Sequence, residues 1–156
     1  MDNRQVTPLV LIAEDDPDDR MLIREAFEER CPDCRLHFVG DGEELMTFIG
    51  ESLSDAQGLS LPPVMPDLVL LDLNMPLKDG REALIELQNY VLFAQVPTII
   101  MTTSASDEDK QFCLKNGADQ YIVKPSSYME LLDAVESFQP YFFEKHGQTL
   151  KPDDYE

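Results

Sequence analysis

Five short runs of consecutive apolar residues lie along the chain, each between polar or turn-forming residues. None of the runs alternates apolar with polar positions. Continuous apolar runs of this length are typical of strands that are buried on both faces, as in a parallel sheet. We therefore predict five strands, at residues 8–13, 36–39, 67–72, 97–102 and 121–123.

An amphipathic segment follows each predicted strand. Asp16 precedes Pro17, as expected of an N-cap followed by proline at the first helical position, and this helix is predicted to end near Arg30. A βα unit repeated five times predicts an α/β fold, a five-stranded parallel sheet with helices on both faces. The other helices are predicted from 41, over 80–90, 106–116 and 126–139, and a loop rich in Ser, Gly and Pro over 51–66.

The end of the last predicted helix is unusually aromatic, with Phe138, Tyr141, Phe142 and Phe143 close together. Pro140 is expected to break or kink the helix there. Two interpretations stay open: an exposed partner or dimer surface, or packing onto the protein's own core. We predict one domain over 5–143 and a polar C-terminal tail over 144–156.

Composition narrows the function classes. The 156 residues suit a single domain, and a net charge of −19 disfavours binding to nucleic acid or to an anionic membrane surface. No apolar run reaches the roughly 18 residues of a membrane span, and the N-terminus lacks the apolar region of a secretory signal. Together with an odd number of cysteines, three, these features predict a cytoplasmic protein.

Two of the cysteines, Cys31 and Cys34, form a C-x-x-C pair. A zinc ribbon needs a second pair, which the sequence lacks; His37 could act as a third ligand, but the fourth would have to come from a distant segment. A thioredoxin-type site would follow a strand, whereas this pair follows a predicted helix. We therefore interpret both residues as ordinary thiols near a helix end.

Carboxylate, hydroxyl or lysine side chains follow four of the five predicted strands. In the doubly wound strand order 2-1-3-4-5, the first and third strands are neighbours, so their terminal carboxylates converge at the edge where such sheets bind ligands. Converging carboxylates repel one another unless a cation lies among them, and oxygen ligands suit Mg²⁺ or Ca²⁺. The residues are Glu14, Asp15 and Asp16 after the first strand, Asp72 after the third, Thr102 to Ser104 after the fourth, and Lys124 after the fifth.

A lysine and a hydroxyl at the same edge add two groups that bind phosphoryl oxygens, so the combination indicates a phosphoryl-transfer site. Each feature alone has a commoner explanation. The acids of 14–19 could be a solvated charge block, Asp72 a turn residue and Thr102 a plain strand residue. The argument for a site rests on their joint occurrence.

Residues 9–125 resemble the receiver domain of two-component response regulators. The resemblance is carried by the stretch Glu14-Asp15-Asp16-Pro17, by Asn116-Gly117-Ala118-Asp119, by Tyr121-Ile122-Val123-Lys124-Pro125, and most specifically by a D-x-x-M-P-x-x-D-G pattern over residues 72–80. More narrowly, the chain is similar to stand-alone receivers of the cyanobacterial-phytochrome response regulator type. The resemblance implies a flavodoxin-like (βα)5 fold.

The resemblance also implies a phosphoacceptor and a metal site. Asp72 matches the aspartate that takes a phosphoryl group, and Glu14 and Asp15 match the acidic pair that holds Mg²⁺. The backbone carbonyl of Asn74 matches a further metal ligand. The acidic pair departs from the usual Asp-Asp by one methylene, and Asp16 is left open as an additional contributor.

Three more roles are implied at the ends of the last two strands. Thr102 matches the hydroxyl that moves onto the phosphoryl group, and Lys124 matches the lysine that pairs with a phosphoryl oxygen. The bond from Lys124 to Pro125 is expected to be cis. Tyr121 matches the aromatic switch position, although a plain core or surface aromatic explains it equally well.

The function implied is that of a single-domain response regulator without an effector domain, a phosphoacceptor signalling protein rather than an enzyme. Its implied partners are a sensor histidine kinase or a His-phosphotransfer protein, and a homodimer through the helices after the fourth and fifth strands. A haloacid-dehalogenase-type phosphatase would need Asp at position 74, where this chain has Asn. No phosphate-binding glycine motif is present. The alternative left is a pseudo-receiver, a scaffold that is not phosphorylated.

Overall fold

The computed structural model describes residues 7–56 and 65–146, with side chains described over 7–53 and 65–142. Its strands are β1 (Leu9–Ala13), β2 (Arg35–Val39), β3 (Leu68–Leu71), β4 (Thr98–Thr102) and β5 (Gln120–Val123). Its helices are α1 (Pro17–Arg30), α2 (Gly42–Ala56), α3 (Gly80–Asn89), α4 (Val91–Ala94), α5 (Asp107–Lys115) and α6 (Tyr128–His146).

The five strands form one parallel sheet in the order β2-β1-β3-β4-β5, which confirms the predicted fold and strand order. The register aligns Ala13 of β1 with Leu71 of β3, so that the residues following each strand emerge side by side. The backbone N–H of Asp72 donates to the carbonyl of Ala13 at 3.1 Å. Glu14 and Asp72 are thereby placed at the same edge of the sheet.

Alternate residues of the central strands supply two hydrophobic layers, one on each face of the sheet. Leu11, Val69 and Ile100 pack under α2, α3 and α5. Val10, Leu70 and Ile99 pack under α1 and α6. Burial on both faces explains why these strands show continuous apolar runs rather than alternation.

Helix α1 begins as its capping signal predicts. The side chain of Asp16 accepts a hydrogen bond from the backbone N–H of Asp18 at 3.1 Å, and Pro17 occupies the first turn. Capping orients α1 so that its N-terminus lies beside the carboxyl end of β1. The first turn of this helix therefore belongs to the candidate site.

Of the two predicted effects of Pro140, a break or a kink, the break does not occur, because helix α6 continues through the proline. Phe138 and Phe142 lie on either side of the proline and are buried in the core layer against α1. Their packing holds the segment helical despite the lost backbone hydrogen bond. The interpretation of core packing is thus confirmed for these two aromatics, while the side chain of Phe143 lies outside the described residues.

Three further features of the helices differ from the prediction. Helix α2 extends to Ala56, into the segment 51–66 predicted as a loop, of which residues 57–64 lie outside the described part of the chain. The short helix α4 was not predicted. Its Phe93 is buried in the layer beneath α3, which explains why so short a segment is ordered. Helix α6 runs past position 143 to His146.

Cys31 and Cys34 are joined in a disulfide, which corrects the interpretation of ordinary thiols. The physical reason is the turn that follows α1. It brings the two Cα atoms to 5.6 Å, within the range of native disulfides. His37 takes no part, since its ring packs against Phe48 with 4.8 Å between centroids.

Over residues 7–56 and 65–146, none of the helices has both the length and the apolar character that crossing a bilayer requires.

Candidate functional site

Three carboxylates gather at the carboxyl ends of β1 and β3. One oxygen each of Glu14, Asp15 and Asp72 lies within 4.8 Å of the others, as the sequence predicts. Glu14 and Asp72 are buried, with 2% and 5% of their surfaces exposed, whereas Asp15 is exposed. In the part of the chain that the structure describes, no other group of three acidic, His or Cys side chains is arranged in this way.

The donor set fits a hard divalent cation. Carboxylate oxygens alone, two of them buried and one open to solvent, suit Mg²⁺ better than zinc or copper. The exposed Asp15 leaves one side of the cluster accessible for an entering ion. Glu14, Asp15 and Asp72 are therefore the residues that could hold the metal.

Lys124 extends from the end of β5 into this cluster. Its Nζ lies 2.9 Å from Oε1 of Glu14, 3.1 Å from Oδ2 of Asp72 and 2.7 Å from Oδ2 of Asp19. Burial lowers the pKa of Lys124, but the ion-paired hydrogen bonds with Asp19 and Glu14 outweigh it, and the net pKa is raised. The lysine is therefore a fixed cation beside the carboxylates of Glu14 and Asp72.

Asp19 is a site residue that the sequence analysis did not assign. The sequence places it in the first turn of α1, where an acid is expected simply from the helix dipole. Only the tertiary structure, which brings the first turn of α1 to the residue after β5, shows that it faces Lys124. The N-cap could have indicated the role of Asp19. Asp16 fixes where α1 begins, and the start of the helix determines which residue of its first turn faces the ends of the strands.

The protonation of Glu14 reflects its burial. Burial raises the pKa of the Glu14 carboxyl, while hydrogen bonds from Lys124 and from the backbone N–H of Asp16 partly counteract the shift. Asp72 adds a repulsive negative charge. A carboxyl in this environment gains from a neighbouring cation more than an exposed carboxyl would.

Asp16 serves the helix rather than the cluster. Its side chain caps α1, and it is not among the three carboxylates that converge. Its backbone N–H donates to Oε2 of Glu14 at 3.1 Å. The structure thus gives Asp16 an orienting contact to Glu14.

Asn74 and Thr102 close the opposite side of the site. The backbone N–H of Asn74 donates to Oδ1 of Asp72 at 3.1 Å, which fixes the orientation of that carboxylate. The Asn74 side-chain amide donates to Oγ1 of Thr102 at 3.4 Å and to Oγ1 of Thr103 at 3.5 Å. The predicted residues at the ends of β3 and β4 are therefore in contact.

Tyr121 is linked to the same loop. Its hydroxyl donates to the backbone carbonyl of Ser104 at 2.9 Å, and burial raises the pKa of this hydroxyl. The ring packs against the core layer beneath α3 and α5. A displacement of the loop after β4 would therefore change the position or the hydrogen bond of the Tyr121 side chain directly.

An ion-pair network that the sequence analysis missed joins this loop to α3 and α5. Arg81 binds Asp109 through two hydrogen bonds of 2.8 and 3.0 Å, and Asp109 accepts a third at 2.7 Å from the hydroxyl of Ser104. Arg81 also pairs with Asp79, the N-cap of α3. No periodic pattern marks these residues, because they meet only through tertiary packing.

The Lys124–Pro125 bond is trans, as are the other peptide bonds of the described residues, so the expected cis bond is wrong. The trans form is intrinsically favoured by about 0.5–1 kcal/mol. The backbone N–H of Lys124 donates to the carbonyl of Thr102 at 2.7 Å. The lysine reaches the carboxylates in this arrangement.

The five-stranded parallel sheet with a lysine and three carboxylates at one edge is the arrangement expected of a receiver domain. Comparison with sequence relatives gives the same result. The response regulator receiver domain family matches residues 10–136. The chain is 32% identical over 134 residues to the probable methanogenesis regulatory protein FilR2 of Methanothrix harundinacea, covering 86% of this chain and 83% of that protein. It is 29% identical over 136 residues to response regulator Rcp1 of Synechocystis, covering 87% and 89%.

Solved structures give the same result. The phosphorylated cyanobacterial phytochrome response regulator RcpA matches with a TM-score of 0.75 at 27% identity, covering 90% of this chain and 96% of that one. The Mn²⁺-bound form of Rcp1 matches with a TM-score of 0.72 at 28% identity, covering 88% and 95%. The chain belongs to the family of response regulator receiver domains.

Proposed function

We propose that this protein accepts a phosphoryl group onto Asp72 from a phosphohistidine, in a reaction that requires Mg²⁺. The observation that carries the proposal is the setting of the Asp72 carboxylate. It is buried, oriented by the N–H of Asn74, 3.1 Å from the ammonium of Lys124 and within 4.8 Å of Glu14 and Asp15. A positioned carboxylate beside a fixed cation suits in-line attack on phosphorus.

The transfer can be written with all bonds balanced. A carboxylate oxygen of Asp72 forms a bond to phosphorus while the bond from phosphorus to the imidazole nitrogen breaks, giving an acyl phosphate and a neutral imidazole once that nitrogen is protonated. Lys124 pairs with a phosphoryl oxygen, which offsets negative charge added beside existing carboxylates. Mg²⁺ held by Glu14, Asp15, Asp72 and the carbonyl of Asn74 would supply further charge neutralisation.

The signal would then pass through the loop after β4. Thr102 is fully buried, its Oγ1 is already in contact with Asn74, and Ser104 two residues later holds the Tyr121 hydroxyl. We propose that the Thr102 hydroxyl binds the phosphoryl group and that the loop carries this movement to Tyr121 and α5. A two-state loop biased by a new charge is a common switching device.

We further propose that the protein is a phosphoacceptor of the cytoplasm rather than an enzyme, and that it signals by protein contacts or relays the phosphoryl group. A histidine kinase or a His-phosphotransfer protein is the proposed donor. Support comes from the exposed apolar side chain of Leu22 on α1, which lines a surface cavity together with Asp19 and Lys124, the lysine that contacts Asp72.

Dimerisation through α5 and α6 stays a prediction. The aromatic residues Phe138 and Phe142 that motivated it are buried within the chain's own core, so they no longer support it. Exposed Leu114 on α5 and Val123 on β5 are the apolar side chains that such an interface could use. Sedimentation with and without beryllofluoride tests it, and an unchanged monomer mass in both states would exclude it.

The acceptor residue can be tested directly. After incubation with acetyl phosphate and Mg²⁺, reduction with borohydride and peptide mass spectrometry should locate the modified residue at Asp72. Modification at another carboxylate would refute the assignment. Calorimetric Mg²⁺ titration should show weakened binding in Asp15→Asn and near-normal binding in Asp16→Asn, because asparagine caps a helix as well as aspartate.

A further inference from the structure

The turn between α1 and β2 contains two cysteines whose geometry is fixed by the backbone. The N–H of Cys31 donates to the carbonyl of Phe27 at 2.6 Å, and the N–H of Cys34 donates to the carbonyl of Cys31 at 2.9 Å. These bonds end the helix and reverse the chain within the sequence Cys31-Pro32-Asp33-Cys34. The two sulfur atoms are thereby held as neighbours in the folded protein.

Both cysteines are accessible, in contrast to the third. Cys31 and Cys34 are half-buried and border a surface depression of about 260 Å³ that is also lined by Arg24 and Leu36. Cys113, a residue of α5, is fully buried, and burial raises the pKa of its thiol to about 11. A thiol reagent from solution can therefore approach the pair but not Cys113.

A metal site does not account for the pair. Among the residues with described side chains, the only three potential metal ligands that lie close together are the carboxylates of Glu14, Asp15 and Asp72. His37, the nearest histidine in sequence, packs against Phe48 in the opposite core layer from the two cysteines. Without a third ligand nearby, the chemistry available to the two sulfur atoms is the formation and cleavage of the bond between them.

We propose that Cys31 and Cys34 form a reversible thiol–disulfide site, whose reaction partner is an external thiol of the glutathione or thioredoxin class. In the opening direction two external thiols supply two electrons and two protons. The Cys31–Cys34 bond breaks through a mixed disulfide, two protein thiols form, and the external thiols leave as a disulfide. In the closing direction the same couple runs in reverse.

The site lies far from the phosphoacceptor, at the opposite end of α1. This helix has 14 residues and is therefore about 21 Å long. The proposal goes beyond the phosphotransfer function and does not depend on it. An effect on the protein would instead be transmitted through the contact between α1 and α6.

That contact begins one residue before Cys31. The backbone carbonyl of Arg30 accepts a hydrogen bond from the side-chain amide of Gln139 at 2.7 Å. The guanidinium of Arg30 pairs with Glu136 at 2.9 Å. A closed disulfide restrains the last turn of α1 on which both contacts depend. Opening it should let this turn and the facing part of α6 open more often.

The test is a redox titration of the whole protein with glutathione and its disulfide, followed by acid quenching, denaturation and alkylation. Intact mass should show one alkyl group under oxidising conditions, on Cys113, and three under reducing conditions. The two additional groups should appear together as the glutathione ratio changes. Three groups at every ratio, glutathione adducts without pairing, or one group even in excess dithiothreitol would each overturn the proposal.

Variants and hydrogen exchange test the link to α6. Amides in 27–34 and 136–142 should exchange several-fold faster in the reduced protein than in the oxidised one. The double variant Cys31→Ser/Cys34→Ser should resemble the reduced protein at every glutathione ratio, because serine leaves the turn intact but cannot pair. Equal exchange in both redox states would show that the site does not reach α6.

Discussion

Lys124 lies closer to Asp19 than to Asp72, with its ammonium 2.7 Å from Oδ2 of the first and 3.1 Å from Oδ2 of the second. Asp19 belongs to the first turn of α1 and stands outside the group of three carboxylates that suits a metal. The lysine is thus shared between Asp72, after β3, and Asp19, in the first turn of α1. To pair fully with a phosphoryl oxygen, it must give up part of its contact with Asp19.

Replacing Asp19 should therefore release Lys124 towards the incoming phosphoryl group. We expect Asp19→Asn to speed phosphoryl uptake from acetyl phosphate by about threefold, since one competing negative charge is removed. The measurement is the time course of intact mass in saturating Mg²⁺. Asp18→Asn is the matched control, because it removes the same charge from an exposed position in the same helix turn and should leave the rate near that of the wild type. An unchanged or slower rate in Asp19→Asn would contradict this role.

Gly80 is required by the close approach of α3 to Asp72 and Leu73, the residues that follow β3. A Cβ at this position would lie 2.5 Å from the Cα of Leu73 and still closer to the carbonyl oxygen of Asp72, and neither backbone atom can move aside cheaply. We expect Gly80→Ala to lower the free energy of unfolding by about 2 kcal/mol or more in urea titration.

Gly50 provides the opposite expectation within α2. A Cβ there would meet nothing within 4 Å, so Gly50→Ala should raise the free energy of unfolding by about 0.5–1 kcal/mol. Equal effects of the two substitutions would refute the steric explanation for Gly80.

The ion pair of Arg81 with Asp109 predicts a pH dependence. Hydrogen bonds from Arg81 and Ser104 lower the pKa of Asp109 below its ordinary value of 3.8. A lowered carboxyl pKa contributes stability that is present above the ordinary value and lost as the pH falls through the folded-state value. In Arg81→Gln the Asp109 carboxyl should titrate nearer 3.8, as measured by carbon NMR. Lys110→Gln removes the same charge from an exposed position of α5 and should leave the titration unchanged.

The Tyr121 hydroxyl should contribute measurably through its bond to Ser104. Tyr121→Phe keeps the ring but leaves the Ser104 carbonyl without this donor, so we expect a loss of about 1 kcal/mol in the free energy of unfolding. Tyr90→Phe, at a position 38% exposed, should change it by less than about 0.5 kcal/mol. Comparable losses from both variants would argue against a specific role for the hydrogen bond.

Much of this architecture could be predicted because local patterns and the fold agree. The continuous apolar runs identified strands buried on both faces, and the strand order then placed Glu14 and Asp72 together. Caps were equally informative, since Asp16 and Pro17 fixed the start of α1. The roles assigned to these residues beyond their placement rest on family resemblance and stay predictions.

What could not be predicted depends on tertiary packing. Asp19 and Arg81 are ordinary surface charges in the sequence, and only the arrangement of α1, α3 and α5 gives them their partners. Pro140 was expected to break its helix, but buried aromatics on both sides outweigh the local preference. The disulfide follows from the shape of a turn that spacing alone did not specify.

The central claim is that Asp72 takes a phosphoryl group in a site completed by Mg²⁺. The most direct measurement is intact mass after incubation with acetyl phosphate, with Mg²⁺ or with EDTA, for the wild type and for Asp72→Asn. We predict a gain of one phosphoryl group in the wild type with Mg²⁺ only, and none in Asp72→Asn. A gain that survives in Asp72→Asn would contradict the account, as would no gain in a wild type that also fails to bind beryllofluoride in Mg²⁺, which would identify a scaffold that is not phosphorylated.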